Sequence, residues 1–201
     1  IHRMDRPAGG LLVFAKNSKS AGRLSEQLRD RRMHREYICI VNGDPPPQFS
    51  LRHILLKDSE SNMVREVPYY LNIGKEAILH AKTIARKDNK ALVCVRLETG
   101  RAHQIRAQMA FSGFPLLGDK RYGGEEQRGQ LALWGMQLSF FHPITKAKMV
   151  FIAPPDDIDI SLGKREENNA EKSSNWFMFK EQIKSLASMW PSISENAFLE
   201  R

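Results

Sequence analysis

Short apolar runs separated by polar breakers divide the first 155 residues into candidate strands and helices. Five runs are rich in residues that favour extended backbone, and they predict β-strands at 11–15, 37–41, 91–97, 131–141 and 148–152. The segment 50–90 predicts further short strands, joined by polar turns at 72–74 and 87–89. The pattern therefore favours a β-rich body.

Two segments carry apolar residues at helical spacing. Asn17 or Ser18 can cap a helix in which Leu24 and Leu28 lie four residues apart on one face. Residues 102–112 predict a second helix, which Phe-Pro closes. Strands and helices are mixed without regular strand–helix–strand alternation. We therefore predict the α+β class, with a mixed, largely antiparallel central sheet flanked by helices, rather than a doubly wound parallel sheet.

The composition changes after Pro-Pro at 154–155, which divides the chain into a body at 1–155 and a tail at 156–201. Residues 156–174 are acidic and polar, and they predict a linker or loop. An amphipathic helix that docks on the body is then predicted from four apolar residues at three- to four-residue spacing, Trp176, Phe179, Ile183 and Leu186.

The chain of 201 residues is 41% hydrophobic and 27% charged, which is an ordinary globular composition. No window approaches the about 18 consecutive apolar residues that a membrane span needs, so we predict no membrane association. Its two cysteines, Cys39 and Cys94, lie inside apolar runs and cannot form a disulfide framework. Buried free thiols suit a reducing cytoplasm.

The positive charge is concentrated in the body. Residues 1–150 carry 25 Lys and Arg against 14 Asp and Glu, a net of +11, whereas residues 151–201 carry 6 against 9, a net of −3. Such a body favours polyanionic partners, with nucleic acid as the first candidate. The alternative is a basic protein without a nucleic-acid partner.

Several common chemistries lack their sequence signals. The six histidines show no familiar metal-ligand spacing, and no Cys-x-x-Cys is present, so a zinc site is not predicted. No phosphate loop, dinucleotide-binding turn or nucleophile elbow is present either. These absences weigh against nucleotide hydrolysis, dinucleotide redox chemistry and serine-hydrolase chemistry.

Two segments concentrate groups that can perform chemistry. In 2–6, His-Arg-Met-Asp-Arg, one carboxylate stands between two guanidiniums. It is either a surface ion pair or an ionised carboxylate that acts as a nucleophile or base. In 97–106, hydrogen-bond donors gather at the start of the second helix, where anions are favoured. This segment is either an ordinary helix start with solvated arginines or a site for phosphate or carboxylate.

These segments together resemble the RluA-type RNA pseudouridine synthases. Five stretches carry the resemblance in the family's order, covering residues 1 to about 154: 2–16, 35–43, 99–106, 113–122 and 138–143. The sequence departs from the family pattern at Met4, where Leu is usual. Ala8-Gly9 replaces Thr-Ser, and Trp134-Gly135 replaces His-Ala. The family's domain has strands before the aspartate motif; because this chain starts at that motif without an initiator Met, we expect it to be a piece that lacks them.

The resemblance implies the pseudouridine synthase catalytic fold and the isomerisation of specific uridines in structured rRNA or tRNA. Uracil leaves its ribose, rotates and rejoins through carbon 5, which needs no cofactor and no metal. Asp5 corresponds to the catalytic carboxylate, Tyr37 to the tyrosine that stacks on the flipped base, and Arg106 to the arginine that pairs with the aspartate. The resemblance places four further residues at the site or on phosphates, namely Arg3, Arg101, His103 and Gln104.

Two other functions remain as alternatives. The first is a non-catalytic RNA-binding protein that retains the synthase fold, since a fold does not fix a function. The presence of Asp5, Tyr37 and Arg106 speaks for catalysis. The second is a basic DNA-binding domain, which ranks last because no helix-turn-helix or zinc-finger signature is present. The oligomeric state has no sequence signal.

Overall fold

One mixed sheet organises the residues that the computed structural model describes, which are 1–123, 130–155 and 179–196. Its strands are β1 (Gly9–Gly10), β2 (His34–Asn42), β3 (Gln48–Lys57), β4 (Val64–Glu66), β5 (Lys75–Lys87), β6 (Lys90–Leu97), β7 (Leu133–Phe141) and β8 (Lys148–Ile152). They lie in the order β1-β7-β2-β6-β5-β3-β4, and β8 also pairs with β7. Only the short β1–β7 pair is parallel among these strands, which confirms the α+β prediction.

Three α-helices flank the sheet in the described part of the chain: α1 (Ser18–Arg29), α2 (Gln104–Phe111) and α3 (Lys180–Asn196). A single 3-10 turn covers Tyr69–Leu71. Asn17 caps α1, because its side-chain oxygen accepts a hydrogen bond of 2.9 Å from the backbone N–H of Ser20. Of the two candidate caps, the structure selects Asn17.

The strand predicted at 11–15 is wrong. This segment is extended and alternates between half-buried and exposed side chains, with Phe14 80% exposed, but it joins no ladder. The N–H of Leu11 makes the last bond to β7, at the Gly135 carbonyl. From Gln137 onward the same edge of β7 is paired with β8. The segment has no free strand edge beside it and packs on α1 instead.

The strands predicted between 50 and 90 form, but two of them are long rather than short. Strand β3 has 10 residues and β5 has 13. The turn predicted at 87–89 is a two-residue hairpin between β5 and β6, in which Asp88 and Asn89 have φ of 51° and 55°. These are the left-handed values that tight hairpins require, and Asn and Asp tolerate them best after Gly. The turn at 72–74 is also present, with Asn72 at φ 54°.

The two faces of the sheet are covered by different helices. Helix α2 packs on the front face, where the core includes Cys39, Leu79, Val93, Val95 and Leu116. Helix α3 packs on the back face through Ile183, Leu186 and Trp190, and Phe179, just before the helix, packs with them. Their partners on the sheet are Ile38, Ile40, Leu92 and Cys94.

Three of the four residues predicted for a docked tail helix are buried against the sheet, Ile183 and Leu186 on α3 and Phe179 just before it. Trp176 and the predicted loop 156–174 lie outside the described residues. Both cysteines are buried and free, as predicted. None of the described helices is long and apolar enough to cross a membrane.

Candidate active site

A cleft of about 980 Å³ opens between the N-terminal segment and the turn that leads into α2. Its wall includes six of the seven side chains that the sequence predicted for a site: Arg3, Asp5, Tyr37, Arg101, His103 and Gln104. The seventh, Arg106, lies buried in α2 and reaches Asp5 across 101 positions of sequence. The fold therefore assembles the two segments that the sequence singled out.

Asp5 is the cleft carboxylate that Arg106 contacts. Nη1 of Arg106 lies 3.4 Å from Oδ2 of Asp5. The Asp5 side chain lines the cleft and is 22% exposed, whereas the Arg106 side chain is 5% exposed and lies behind the cleft wall. A molecule in the cleft can therefore reach the carboxylate but not the guanidinium. The backbone N–H of Ala8 donates to the Asp5 carbonyl at 2.9 Å, which closes the turn that carries the aspartate.

Asp119 fixes Arg106 from the opposite side. Nε and Nη2 of Arg106 donate to the two Asp119 oxygens at 2.7 and 2.8 Å. Asp119 also accepts from the backbone N–H of Arg121 and of Tyr122. Burial works against the charged guanidinium, but the hydrogen bonds and charge of Asp119, with the charge of Asp5, raise the pKa of Arg106. The stretch around Asp119 belongs to the segment 113–122 that resembles the family, but the sequence alone predicted no role for this residue.

His103 is placed beside Asp5 by an unusual backbone conformation. It is the residue before α2 and has φ 48°, so the helix begins at Gln104 rather than at 102 as predicted. Its Nε2 lies 4.0 Å from Oδ1 of Asp5. Burial lowers the pKa of His103, Asp5 opposes this, and the charge of Arg106 adds to it. The ring is therefore neutral at pH 7.

The Tyr122 hydroxyl contacts the other nitrogen of that neutral ring. Its hydroxyl accepts a hydrogen bond from the backbone N–H of Val64 at 2.9 Å and lies 2.9 Å from Nδ1 of His103. The hydroxyl also carries a proton of its own, which it can donate to Nδ1. The imidazole proton then sits on Nε2, the nitrogen that faces Asp5.

Tyr37 forms the aromatic part of the wall. It is buried on β2, and burial raises the pKa of its hydroxyl. It pairs with Gly135 on β7, where a Cβ would lie 3.5 Å from the Tyr37 ring and 3.4 Å from the end of Met4. These are ordinary contact distances, so the space beside Tyr37 does not require glycine at 135.

Two departures from the family pattern occupy the same place in the structure. Gly9 pairs with Trp134 across β1 and β7. A Cβ at Gly9 would lie 2.1 Å from the Trp134 ring, closer than any real contact. The indole N–H of Trp134 donates to the Ala153 carbonyl at 2.8 Å, which holds the ring over the glycine. Small Gly9 and large Trp134 therefore compensate each other sterically.

Gln104 organises the turn into α2 rather than presenting free donors. Its side-chain oxygen accepts from the Thr99 hydroxyl and from the Arg101 backbone N–H, both at 2.9 Å. Its amide nitrogen donates to the Ile78 carbonyl at 3.0 Å. Nε of Arg101 donates to the Glu76 carbonyl at 2.8 Å. The loop is thus tied to β5, and the outer guanidinium nitrogens of Arg101 are left at the rim.

The arrangement supplies the accessible Asp5 carboxylate beside a fixed guanidinium, a neutral imidazole and an aromatic ring. The cleft is also lined by Glu98, which is paired with Arg31 and lies 3.4 Å from Nε2 of His80. Asp119 does not act as a second cleft carboxylate, because its side chain is fully buried and bound to Arg106. Glycosidases that activate water use a pair of cleft carboxylates. The geometry here suits a single nucleophile or base that acts directly on a bound substrate.

Comparison with known proteins gives consistent matches. A sequence profile described as RNA pseudouridylate synthase matches residues 1–111. The ribosomal large subunit pseudouridine synthase D of Vibrio cholerae is 32% identical over 193 residues, covering 88% of this chain and 59% of that protein. The tRNA pseudouridine synthase C of Haemophilus ducreyi is 32% identical over 171 residues, covering 76% and 70%.

Solved structures agree on the fold. Human RNA Pseudouridylate Synthase Domain Containing 4 superposes with a TM-score of 0.62 at 18% identity, covering 91% of this chain and 74% of that one. Human RNA Pseudouridylate Synthase Domain Containing 1 superposes with a TM-score of 0.60, also at 18% identity, covering 69% of this chain and 61% of that one. Against ribosomal relatives such as those of Vibrio cholerae and Buchnera aphidicola, the chain spans between half and six-tenths of their length.

Proposed function

The chain belongs to the RNA pseudouridylate synthase family, and on this premise we propose that it isomerises specific uridines in structured RNA to pseudouridine. The observation that carries the proposal is the accessible Asp5 carboxylate, held 3.4 Å from buried Arg106 in a cleft with an aromatic wall. The relatives are named for ribosomal and transfer RNA, so we propose one of these two as the substrate.

Asp5 acts on the ribose of a uridine that has left the RNA stack. It either forms a bond to the anomeric carbon or removes a sugar proton, and in both cases the bond from that carbon to N1 of uracil breaks. The uracil turns and its C5 bonds to the anomeric carbon, as the bond from Asp5 to that carbon breaks or, in the second route, as the removed proton returns to the sugar. The C5 hydrogen then leaves as a proton while N1 gains one. Atoms and electrons balance without an oxidant, a reductant or water.

The other site residues have separate roles in this proposal. Arg106 places a fixed positive charge beside Asp5, which favours the carboxylate form that the reaction needs. Tyr37 offers a ring face to the flipped base. Arg3 and Arg101, at the rim, contact RNA phosphates, and Gln104 holds the loop that carries Arg101.

His103 faces Asp5 through Nε2–H and stays uncharged at pH 7. It contributes a directed hydrogen-bond donor rather than a second charge. We further propose that residues 1–155 form the catalytic domain, that 156–201 are an accessory linker and helix, and that the protein works in the cytoplasm.

The test replaces Asp5 by Asn and follows single-turnover tritium release from cellular RNA labelled with 5-tritiated uridine. Asp5→Asn keeps the size of the side chain and removes its charge, so product formation is expected to stop while RNA affinity stays within a few-fold. The matched control is Asp44→Asn, since Asp44 is an exposed carboxylate paired with Arg86 outside the cleft.

The variants must melt cooperatively before their rates are compared. A folded Asp5→Asn protein with a rate close to that of the wild type would refute the role of Asp5. A wild-type protein that binds RNA but releases no tritium would instead support the non-catalytic RNA-binding alternative.

A further inference from the structure

Arg35 is a buried cation in the wall of the cleft. It lies on β2, on the same face as Tyr37 and two residues before it, and the whole residue is only 8% exposed. Among the residues that the structure describes, no carboxylate lies within ion-pair distance of it, and its Nε has no hydrogen-bond partner. Burying a guanidinium without a counter-ion is costly, so the arrangement is suited to an anion that arrives with a ligand.

The absence of a side chain at Gly100 leaves space for the Arg35 guanidinium. A Cβ at Gly100 would lie 2.9 Å from both Nη1 and Nη2 of Arg35, closer than real contacts allow. The φ of Gly100 is outside the left-handed region, so the backbone conformation does not require glycine there. A side chain at position 100 would instead collide with Nη1 and Nη2 of Arg35, the two nitrogens that would bind a ligand.

His2 is an uncharged neighbour of Arg35 in the cleft wall. Both ring nitrogens of His2 are buried and without hydrogen-bond partners in the described residues. Burial first, and then the charge of Arg35, lower the pKa of His2 to about 4. The imidazole is therefore uncharged at pH 7 and adds no second positive charge beside Arg35.

We propose that Arg35 binds a backbone phosphate of the RNA next to the target uridine, and this rests on the proposed function. A guanidinium offers two parallel N–H donors that match two phosphate oxygens. Along a strand, residues two positions apart are separated by about 7 Å. A phosphate held at Arg35 is then close to a base held at Tyr37, so it belongs to the target nucleotide or to its neighbour.

The test measures binding of a fluorescein-labelled dodecauridylate by anisotropy at several salt concentrations. Arg35→Met is expected to weaken binding about tenfold at low salt and to reduce the slope of log affinity against log salt by about 0.7, the value for one lost single-strand phosphate contact. Arg35→Lys keeps the charge, so it is expected to keep the slope and lose less affinity. The control, Arg86→Met, removes an arginine that is already paired with Asp44.

Gly100→Ala gives a second test that removes no charge. The new methyl group is expected to displace the guanidinium and weaken binding severalfold in the wild-type background, but to have no further effect in Arg35→Met. If Arg35→Met does not melt cooperatively, the proposal is tested with Gly100→Ala and Arg35→Lys instead. The proposal would be overturned if the folded Arg35 variants kept the wild-type RNA affinity and salt slope. It would also be overturned if Gly100→Ala weakened binding equally in both backgrounds.

Activity assays separate this inference from the proposed function. Loss of a phosphate contact that is made equally before and during the reaction raises KM and leaves kcat unchanged. A wild-type protein without tritium release would refute the proposed function, while the dodecauridylate measurement would still decide the role of Arg35. An active wild-type protein whose Arg35→Met variant keeps the same KM would refute the phosphate site alone.

Discussion

Asp119 holds the guanidinium of Arg106 by two hydrogen bonds of 2.7 and 2.8 Å, which leaves only Nη1 to face Asp5 at 3.4 Å. The Asp119 side chain is fully buried and also accepts two backbone N–H groups from its own turn. Arg106 is therefore oriented by the fold before any ligand arrives. The loop that carries Asp119 determines the position of the charge beside Asp5.

Asp119→Asn should destabilise the protein by about 3 kcal/mol, because it removes the closer partner of a buried ion pair and leaves Arg106 with only the more distant charge of Asp5. Chemical denaturation measures this, and tritium release should fall together with stability. Asp44→Asn, at an exposed pair, should cost less than about 1 kcal/mol. Equal unfolding free energies for the two variants would contradict the anchoring role of Asp119.

Tyr122→Phe should cost about 1–3 kcal/mol, since the buried N–H of Val64 loses its acceptor. The same change removes the donor to Nδ1 of His103, so the preference for the Nε2–H tautomer should be lost. Nitrogen NMR of labelled histidine reports the tautomer directly. Tyr70→Phe, at an exposed tyrosine, is the control and should change neither quantity. An unchanged His103 tautomer in Tyr122→Phe would refute the proposed hydrogen-bond direction.

Glu36 should make stability fall as the pH rises. Burial raises the pKa of this carboxyl from 4.5 to about 7, partly offset by Arg96 and by the Trp190 indole. Because the folded pKa is above the unfolded one, the stabilisation is complete below pH 4.5 and is lost as pH rises to about 7. The unfolding free energy lost over this pH range is on the order of 3 kcal/mol.

Glu36→Gln tests this by removing the titration. Relative to the variant, the wild type should lose stability between pH 4.5 and 7. The comparison is needed because His2, whose pKa is lowered to about 4, gives the opposite slope in both proteins. Stability curves that run parallel for wild type and Glu36→Gln would show that this carboxyl does not titrate in the proposed way.

Ile183→Ala should destabilise the protein by about 2–4 kcal/mol, because Ile183 is fully buried between α3 and the back face of the sheet. The neighbouring exposed Lys184 gives a matched control, and Lys184→Ala should change the unfolding free energy by less than about 0.5 kcal/mol. Urea titrations of both variants measure the difference. A cost below 1 kcal/mol at Ile183 would mean that α3 contributes little to the stability of the body.

Local patterns determined much of this protein. The strands at 91–97 and 148–152 follow from their β-forming runs, and the cap at Asn17 follows from its side chain, because each depends on neighbours in sequence. The order of the motifs identified the family, and the resemblance predicted that Arg106 pairs with Asp5. The structure places the two side chains 3.4 Å apart.

The tertiary structure decided what depends on distant partners. Apolar periodicity reports burial but not which edge is free, so 11–15 looked like a strand although β8 occupies the edge it would need. The roles of Asp119 and Tyr122, the fit of Gly9 to Trp134 and the exposure of Arg35 to the cleft had no local signal. Each arises from side chains that meet only after the sheet has formed, because hydrogen bonds and steric fit act over a few ångströms in space and not along the chain.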